Sequence, residues 1–332
     1  MKLTIIGAGP GGYSAAFAAA KAGVEVTLVE RAKLGGTCLH TGCIPTKTLR
    51  SSADVLEMSG RLAEFGITGE CALKADMPAI VNRKRKVTAT LQTGLEKTCA
   101  QLKVRVVYGK AELVSAKLVR VTTAEGTEEV ESDNVIIATG SSPLELPALP
   151  VDHARVLSSD DALELQAVPP SLIIVGGVIG CELAFIYRAF GSKVTVVEGQ
   201  NRVLPLPSVD EEISRLLQRE MKKKGIAVEL ARTVTATTPT GTGVSVEIGA
   251  SPFVEVANPP RARLRPTRCA SPWAACRIRT ASGSTPPGSR SMPGAGSKPT
   301  TFWKPRCRAC TPSATLSGHA ASCWRTWPSR KP

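Results

Sequence analysis

Apolar positions in the stretch LTIIGAGPGGYSAAFAAAKAGVEVTLVE, residues 3–30, fall into four blocks. A short apolar run comes first, then a glycine-rich break, an alanine-rich segment ending at Gly23, and a second apolar run. This order predicts strand, tight turn, helix and strand. The pattern returns in SLIIVGGVIGCELAFIYRAFGSKVTVVE, residues 171–198. A repeated βαβ unit predicts an α/β chain with two Rossmann-like dinucleotide-binding domains. Between the repeats, residues 80–112 read as a long basic helix followed by a strand. After the second, VDEEISRLLQREMKKKG reads as an amphipathic helix, and strands run from IAVEL to VSVEI. Beyond about residue 255 apolar residues neither alternate nor recur at helical spacing.

The turns carry the first chemistry. Gly7, Gly9 and Gly12 form G-x-G-x-x-G between strand and helix. The first glycine permits the tight turn, the second lets backbone approach a pyrophosphate, and the third lets helix pack on strand. The helix N-terminus offers free N–H groups to phosphates. Glu30 ends the second strand, about 20 residues on, where a carboxylate binds ribose hydroxyls. Glu198 holds the same place in the second unit, where a carboxylate favours the 2′-hydroxyl of NAD over the 2′-phosphate of NADP. That unit has only Gly176 and Gly177 in its turn, with Gly180 further on. A strict register puts Val175 at the first glycine position, and the alternative deletes one residue; either crowds the turn.

The segment LGGTCLHTGCIPTKTL places Cys38 and Cys43 as C-x-x-x-x-C. Thioredoxin-like sites use C-x-x-C, and zinc sites need further ligands, so no metal site is expected here. A helix from Cys43 onward, with Pro45 in its first turn, would lower a thiolate pKa. Cys71, Cys99 and Cys181 are singletons and read as structural.

GGTC and GCIPTK together resemble the active site of the FAD-dependent pyridine nucleotide-disulfide oxidoreductases, and most of all the branch that oxidises protein-bound dihydrolipoamide. The resemblance covers about residues 1–254. It implies FAD in the first unit (1–146), NAD in the second (147–254), and a redox disulfide between Cys38 and Cys43 beside the flavin. It further implies that Cys38 exchanges with the dithiol, that Cys43 touches the flavin, and that Lys47 pairs with Glu182 near flavin and nicotinamide. NVIIATGSSP, residues 134–143, resembles the family's second FAD signature, a buried strand ending at Thr139 and Gly140. His40 and Thr41 depart from the commoner Asn-Val. The implied partners are lipoyl domains of 2-oxoacid dehydrogenase or glycine cleavage complexes, and a second copy of the chain as a homodimer. A mercuric or mycothiol-type reductase is the alternative within the family.

Charge divides the chain. The formal net charge is +14 over 332 residues, yet Glu255 is the last acid. All four tryptophans lie beyond it. Three readings of 255–332 compete: a basic nucleic-acid-binding arm, a metal module at Cys307 and Cys310, or a wrong reading frame. Taking the last base of each codon with the first two of the next decides for the third. Phe302–Trp303 then forces Leu and Trp303–Lys304 forces Glu, and the string DFLEASVPGVYAIGD is permitted from Thr300. From Arg268 the same shift permits VCVAVGRVPNTDGL, and near Ser322 it permits MLAHVA. All three resemble family motifs, in family order. The expectation is therefore a frameshift between about residues 254 and 267, a disordered and functionless tail, no nucleic-acid binding, and little activity of the literal chain. It would lack the family's His–Glu pair, which His153 and His319 do not replace. The run Arg83–Lys86 reads as a solvated helix face, and Lys222–Lys224 as a solvated cluster suited to a helix C-terminus. Met1 leads straight into a strand and no run of about 18 apolar residues occurs, so a cytoplasmic protein without a membrane span is expected.

Overall fold

The computed structural model describes residues 1–69, 72–143, 149–241 and 243–254, and the backbone of 262–264 and 268–271. The first unit begins with β1 (Lys2–Ile6), α1 (Pro10–Lys21) and β2 (Glu25–Glu30). Two helices follow, α2 (Gly36–His40) and α3 (Cys43–Ser59), and then the long α4 (Met77–Gln101). Next come β3 (Arg105–Tyr108), β4 (Lys110–Ser115), β5 (Leu118–Thr122), β6 (Thr127–Glu131) and β7 (Asn134–Ile137). The main sheet is parallel, in the order β3-β2-β1-β7, with Ile6 opposite both Val29 and Ile137. α1 packs its alanine face on it, because Ala16, Leu3, Ile5 and Leu28 bury together. The strands β4, β5 and β6 form a separate antiparallel meander.

The second unit contains β8 (Val156–Ser158), α5 (Ser159–Ala162), β9 (Ser171–Val175), α6 (Gly177–Ala189), β10 (Lys193–Val197), α7 (Glu211–Lys223) and β11 (Ala227–Glu229). Then come β12 (Arg232–Pro239), β13 (Val244–Ala250), β14 (Ala262–Leu264) and β15 (Arg268–Ser271). Its parallel sheet runs β11-β10-β9-β15-β8, and β12, β13 and β14 form an antiparallel sheet. Tyr187, Ile174, Leu183 and Ile186 lie at the centre of its core. α3 and α4 of the first unit reach this core through Leu49, Ala53 and Met77, which seats the cysteine helix against α6. The repeated α/β architecture is thus as expected from the sequence. The tail readings fall largely on residues outside those described, as does Cys71.

Two expectations need correction. The strand within residues 134–143 is not buried: β7 ends at Ile137 and is mostly exposed, Ile137 to 61%. Lys84 is not on a solvated face: it is 2% exposed. It shares a face of α4 with Met77 and Val81, and that face meets the second unit. There its ammonium donates to the Leu163 carbonyl at 2.8 Å and pairs with Glu164. Arg83, Arg85 and Lys86 are exposed, as expected, with Arg83 donating to the Thr48 carbonyl and Arg85 to Glu164. The lysine cluster Lys222–Lys224 is exposed at the C-terminus of α7, as expected, and Lys224 also reaches Glu57 of α3 at 3.0 Å. Among the described residues no helix is long and apolar enough to cross a membrane.

Candidate active site

The first turn is built on backbone proximity. Gly7 has φ +100°, and a Cβ there would fall 2.3 Å from the Ala138 carbonyl oxygen. The β7 exit, with Thr139 and Gly140, therefore runs against the turn. Gly12 is buried, and a Cβ on it would fall 1.8 Å from the Gly7 carbonyl oxygen. Only a residue without a side chain lets α1 start this close to β1. The Glu30 carboxylate is also buried. It accepts from the N–H of Ala8 at 2.8 Å and of Ala32 at 2.9 Å. It sits on the lip of the turn.

The loop after β2 folds back on the turn. The Gly35 N–H donates to the Ala8 carbonyl at 2.9 Å, and a Cβ on Gly36 would fall 2.7 Å from Cα of Gly9. This contact delivers Cys38, in α2, to the mouth of the turn. α3 begins at Cys43, as the sequence predicts. Cys38 is half-buried and Cys43 exposed, and both are free thiols. Burial first, and then the hydrogen bond and charge of Cys43, push the Cys38 thiol up to about 11. The Cys43 backbone N–H and the Lys47 ammonium act in the opposite direction and are outweighed.

One helical turn on, Lys47 meets Glu182 of α6 at 2.5 Å. Both partners are exposed enough that the pair contributes only about 0–1 kcal/mol to stability. Its importance is geometric: it bridges the two units across the cleft. The loop between the cysteines is held by two polar side chains. His40 Nε2 donates to the Leu34 carbonyl at 2.8 Å, and Thr41 bonds the Asp160 carboxylate of α5. Burial, and then Asp161, raise the Asp160 pKa.

A single cleft of about 880 Å³ brings together Gly7, Gly9, Glu30, Cys38, Cys43, Lys47, Thr139, Gly140 and Glu182. Gly12 lies behind it, packed between helix and strand. Gly177, Gly180 and Glu198 lie apart, at the turn of the second unit. Burial raises the Glu198 pKa, against the backbone N–H groups of Gln200 and Gly177. Sequence reasoning missed Ser159, Val178, Ile179 and Leu183, which close the far wall. Val178 and Ile179 stand inside the second glycine motif, so the motif itself was the available signal.

The family model described as pyridine nucleotide-disulphide oxidoreductase matches residues 1–252. A dihydrolipoyl dehydrogenase of Bacillus subtilis is 43% identical over 230 residues, which is 69% of this chain and 50% of that protein. One from Geobacillus stearothermophilus is 40% identical over 225 residues, 68% of this chain and 47% of that protein. Among solved structures, LpdA of Mycobacterium tuberculosis superposes with a TM-score of 0.72 at 27% identity. That match covers 82% of this chain and 58% of LpdA. The copper(II) complex of the flavoprotein disulfide reductase RclA of Escherichia coli gives 0.66 at 27% identity, covering 82% of this chain and 56% of RclA. The chain spans about half the length of the curated relatives it matches. With a free cysteine pair set into a glycine-turn cleft, and a family match over three quarters of its length, the chain belongs to the pyridine nucleotide-disulphide oxidoreductase family.

Proposed function

We propose that this chain carries the dinucleotide-binding and disulfide-exchange half of a dihydrolipoyl dehydrogenase. The observation that carries the reading is one cleft holding Cys38 and Cys43 together with the Gly7–Gly9 turn and Glu30. The residues fit FAD: the turn leaves no room for side chains at Gly7 or Gly12, and Glu30 is fixed at its lip. The second unit fits NAD through Glu198, fixed at its own turn, with Glu182 and Val178 at the cleft end. When bound, FAD supplies a two-electron relay between the cysteine pair and NAD⁺.

The protein's part is thiol–disulfide exchange and its orientation. In the oxidised pair, one thiolate of dihydrolipoamide attacks Cys38 Sγ, the Cys38–Cys43 bond breaks, and Cys43 leaves as thiolate. The second substrate thiolate attacks its own sulfur in the mixed disulfide, releasing lipoamide and the Cys38 thiolate. Cys38 takes up a proton readily, because its buried thiol has a raised pKa. Lys47, held by Glu182, places a cation beside the pair and favours thiolate. Protein-bound dihydrolipoamide as substrate, lipoyl domains of 2-oxoacid dehydrogenase or glycine cleavage complexes as partners, a homodimer and a cytoplasmic location belong to this reading.

The test is a comparison of electron donors and acceptors. The FAD-loaded chain should exchange with dihydrolipoamide in preference to mercuric ion or a mycothiol-type disulfide, and Cys38→Ser should abolish the exchange. Preference for either alternative would move the chain elsewhere in the family.

We further propose that the reading frame changes between the codons of about residues 254 and 267. The support is the position of β15, between β9 and β8 in a parallel sheet. Its neighbours Leu172, Ile173, Ile174, Val156 and Leu157 are all buried. Such a strand calls for a near-continuous apolar run. The literal residues are Arg268, Cys269, Ala270 and Ser271, whereas the shifted frame permits Val-Cys-Val-Ala. Resequencing from the codon of Val254 through that of Cys269 decides the matter: one additional base supports the shift, and an unchanged reading removes it.

A further inference from the structure

The two glycine turns of this chain stand at the same place in their sheets. In the first unit Ile6 is opposite Val29, and the Gly7 N–H donates to the Val29 carbonyl at 2.8 Å. In the second, Val175 is opposite Val197, and the Gly176 N–H donates to the Val197 carbonyl at 2.7 Å. Gly176 therefore takes the place of Gly7, and Val175 stays in its strand. The carboxylates agree with this register: Glu30 accepts from Ala8, and Glu198 from Gly177. The second motif is thus shortened by one residue, not crowded by a valine.

The shortening has a physical consequence. In the first unit Gly7, Ala8 and Gly9 separate strand from helix, and α1 starts at Pro10. In the second, α6 starts at Gly177, but Gly177 has φ +86° and is not yet helical, so only Gly176 and Gly177 separate the strand from helical backbone. One backbone N–H is missing from the segment that wraps a pyrophosphate; the Gly177 N–H faces Glu198 at 3.3 Å just as the Ala8 N–H faces Glu30, so that group does not make up the loss. A Cβ on Gly176 would fall 2.4 Å from Glu198 Oε2, so the turn closes on the carboxylate itself. The nicotinamide end of the site has no such deficit, since Glu182, Val178 and Ile179 line the shared cleft.

We propose that the second turn grips the pyrophosphate of a nicotinamide dinucleotide weakly, and that this dinucleotide is held mainly by its ribose and nicotinamide ends. The inference rests on the reading of the second unit as the NAD unit.

The test is calorimetric binding of NADH to the FAD-loaded chain and to a variant with one glycine inserted between Gly176 and Gly177. Restoring one charge-assisted hydrogen bond should tighten binding about tenfold, or about 1.4 kcal/mol. Equal or weaker affinity in a variant with an unchanged circular dichroism spectrum overturns the inference and leaves the NAD reading standing. Absence of NADH binding to either chain overturns both. The unaltered FAD-loaded chain provides a check independent of the insertion. AMP and ADP should bind it within about threefold of each other, and a tenfold or greater preference for ADP contradicts a weakly gripped pyrophosphate.

Discussion

Replacing Gly12 by alanine probes the packing on which the first dinucleotide site depends. The added Cβ would lie 1.8 Å from the Gly7 carbonyl oxygen and 2.9 Å from its carbon. Relief requires α1 to move off β1 by roughly 1 Å or more, in an interior packed as densely as an organic crystal. Overpacking of this kind costs about 1–3 kcal/mol. The hydrogen bond from Gly7 N–H to Val29 is strained at the same time, at about 1 kcal/mol. A total near 3 kcal/mol is expected, which with a urea m-value of about 2 kcal/mol/M lowers the midpoint by about 1.5 M. Gly11 is the internal control: it is exposed at the start of the same helix, and a Cβ on it meets nothing within 4 Å. Gly11→Ala should be neutral or stabilising by about 0.5–1 kcal/mol. Far-UV circular dichroism is the right signal, because every tryptophan lies beyond Glu255. If Gly12→Ala unfolds within about 0.5 kcal/mol of Gly11→Ala, the close approach of helix and strand is not as described.

Alkylation of Cys38 in the reduced, cofactor-free chain should follow an apparent pKa of about 11, falling in Cys43→Ser and rising in Lys47→Met. A rate that levels off below pH 9 would contradict the burial assigned to that thiol. Asp160→Asn should raise the thermal midpoint at neutral pH while keeping an oxygen for Thr41. The sign follows from its raised pKa. Asp160 contributes most when protonated, below its unfolded value near 3.8, and that contribution is lost as pH rises through the folded value. The gain should therefore vanish in acid, and a pH-independent difference would point to another cause. Lys84→Met should cost about 1–2 kcal/mol, because the buried Leu163 carbonyl loses its donor whereas half-exposed Glu164 is resolvated. An unchanged or higher midpoint would mean that relief of Lys84 desolvation dominates.

What the sequence alone makes legible is what short-range chemistry dictates. The turn of Gly7, Gly9 and Gly12, the carboxylate of Glu30 and the start of α3 at Cys43 each follow from neighbours within a few residues or one βα unit. Lys84 could not be placed that way. Its side chain is classed as solvent-facing by composition, and its burial depends on a carbonyl 79 positions later. Thr41 was equally opaque, since its partner Asp160 comes from the other unit. The register of the second turn needed the pairing of Val175 with Val197 before Gly176 could be matched to Gly7. The meander of β4, β5 and β6 had no expectation attached to it, because its mixed polar pattern half-buries every strand.

The proposed function requires Cys38 and Cys43 to act as one redox pair in the cleft beside the first glycine turn. Anaerobic titration of the oxidised, FAD-loaded chain with dihydrolipoamide, followed by thiol counting under denaturing conditions, addresses this directly. Two additional thiols per chain should appear, mapping to Cys38 and Cys43, and neither Cys38→Ser nor Cys43→Ser should show the gain. An unchanged thiol count, or the same gain in either serine variant, would contradict the assignment of these two cysteines as the redox site.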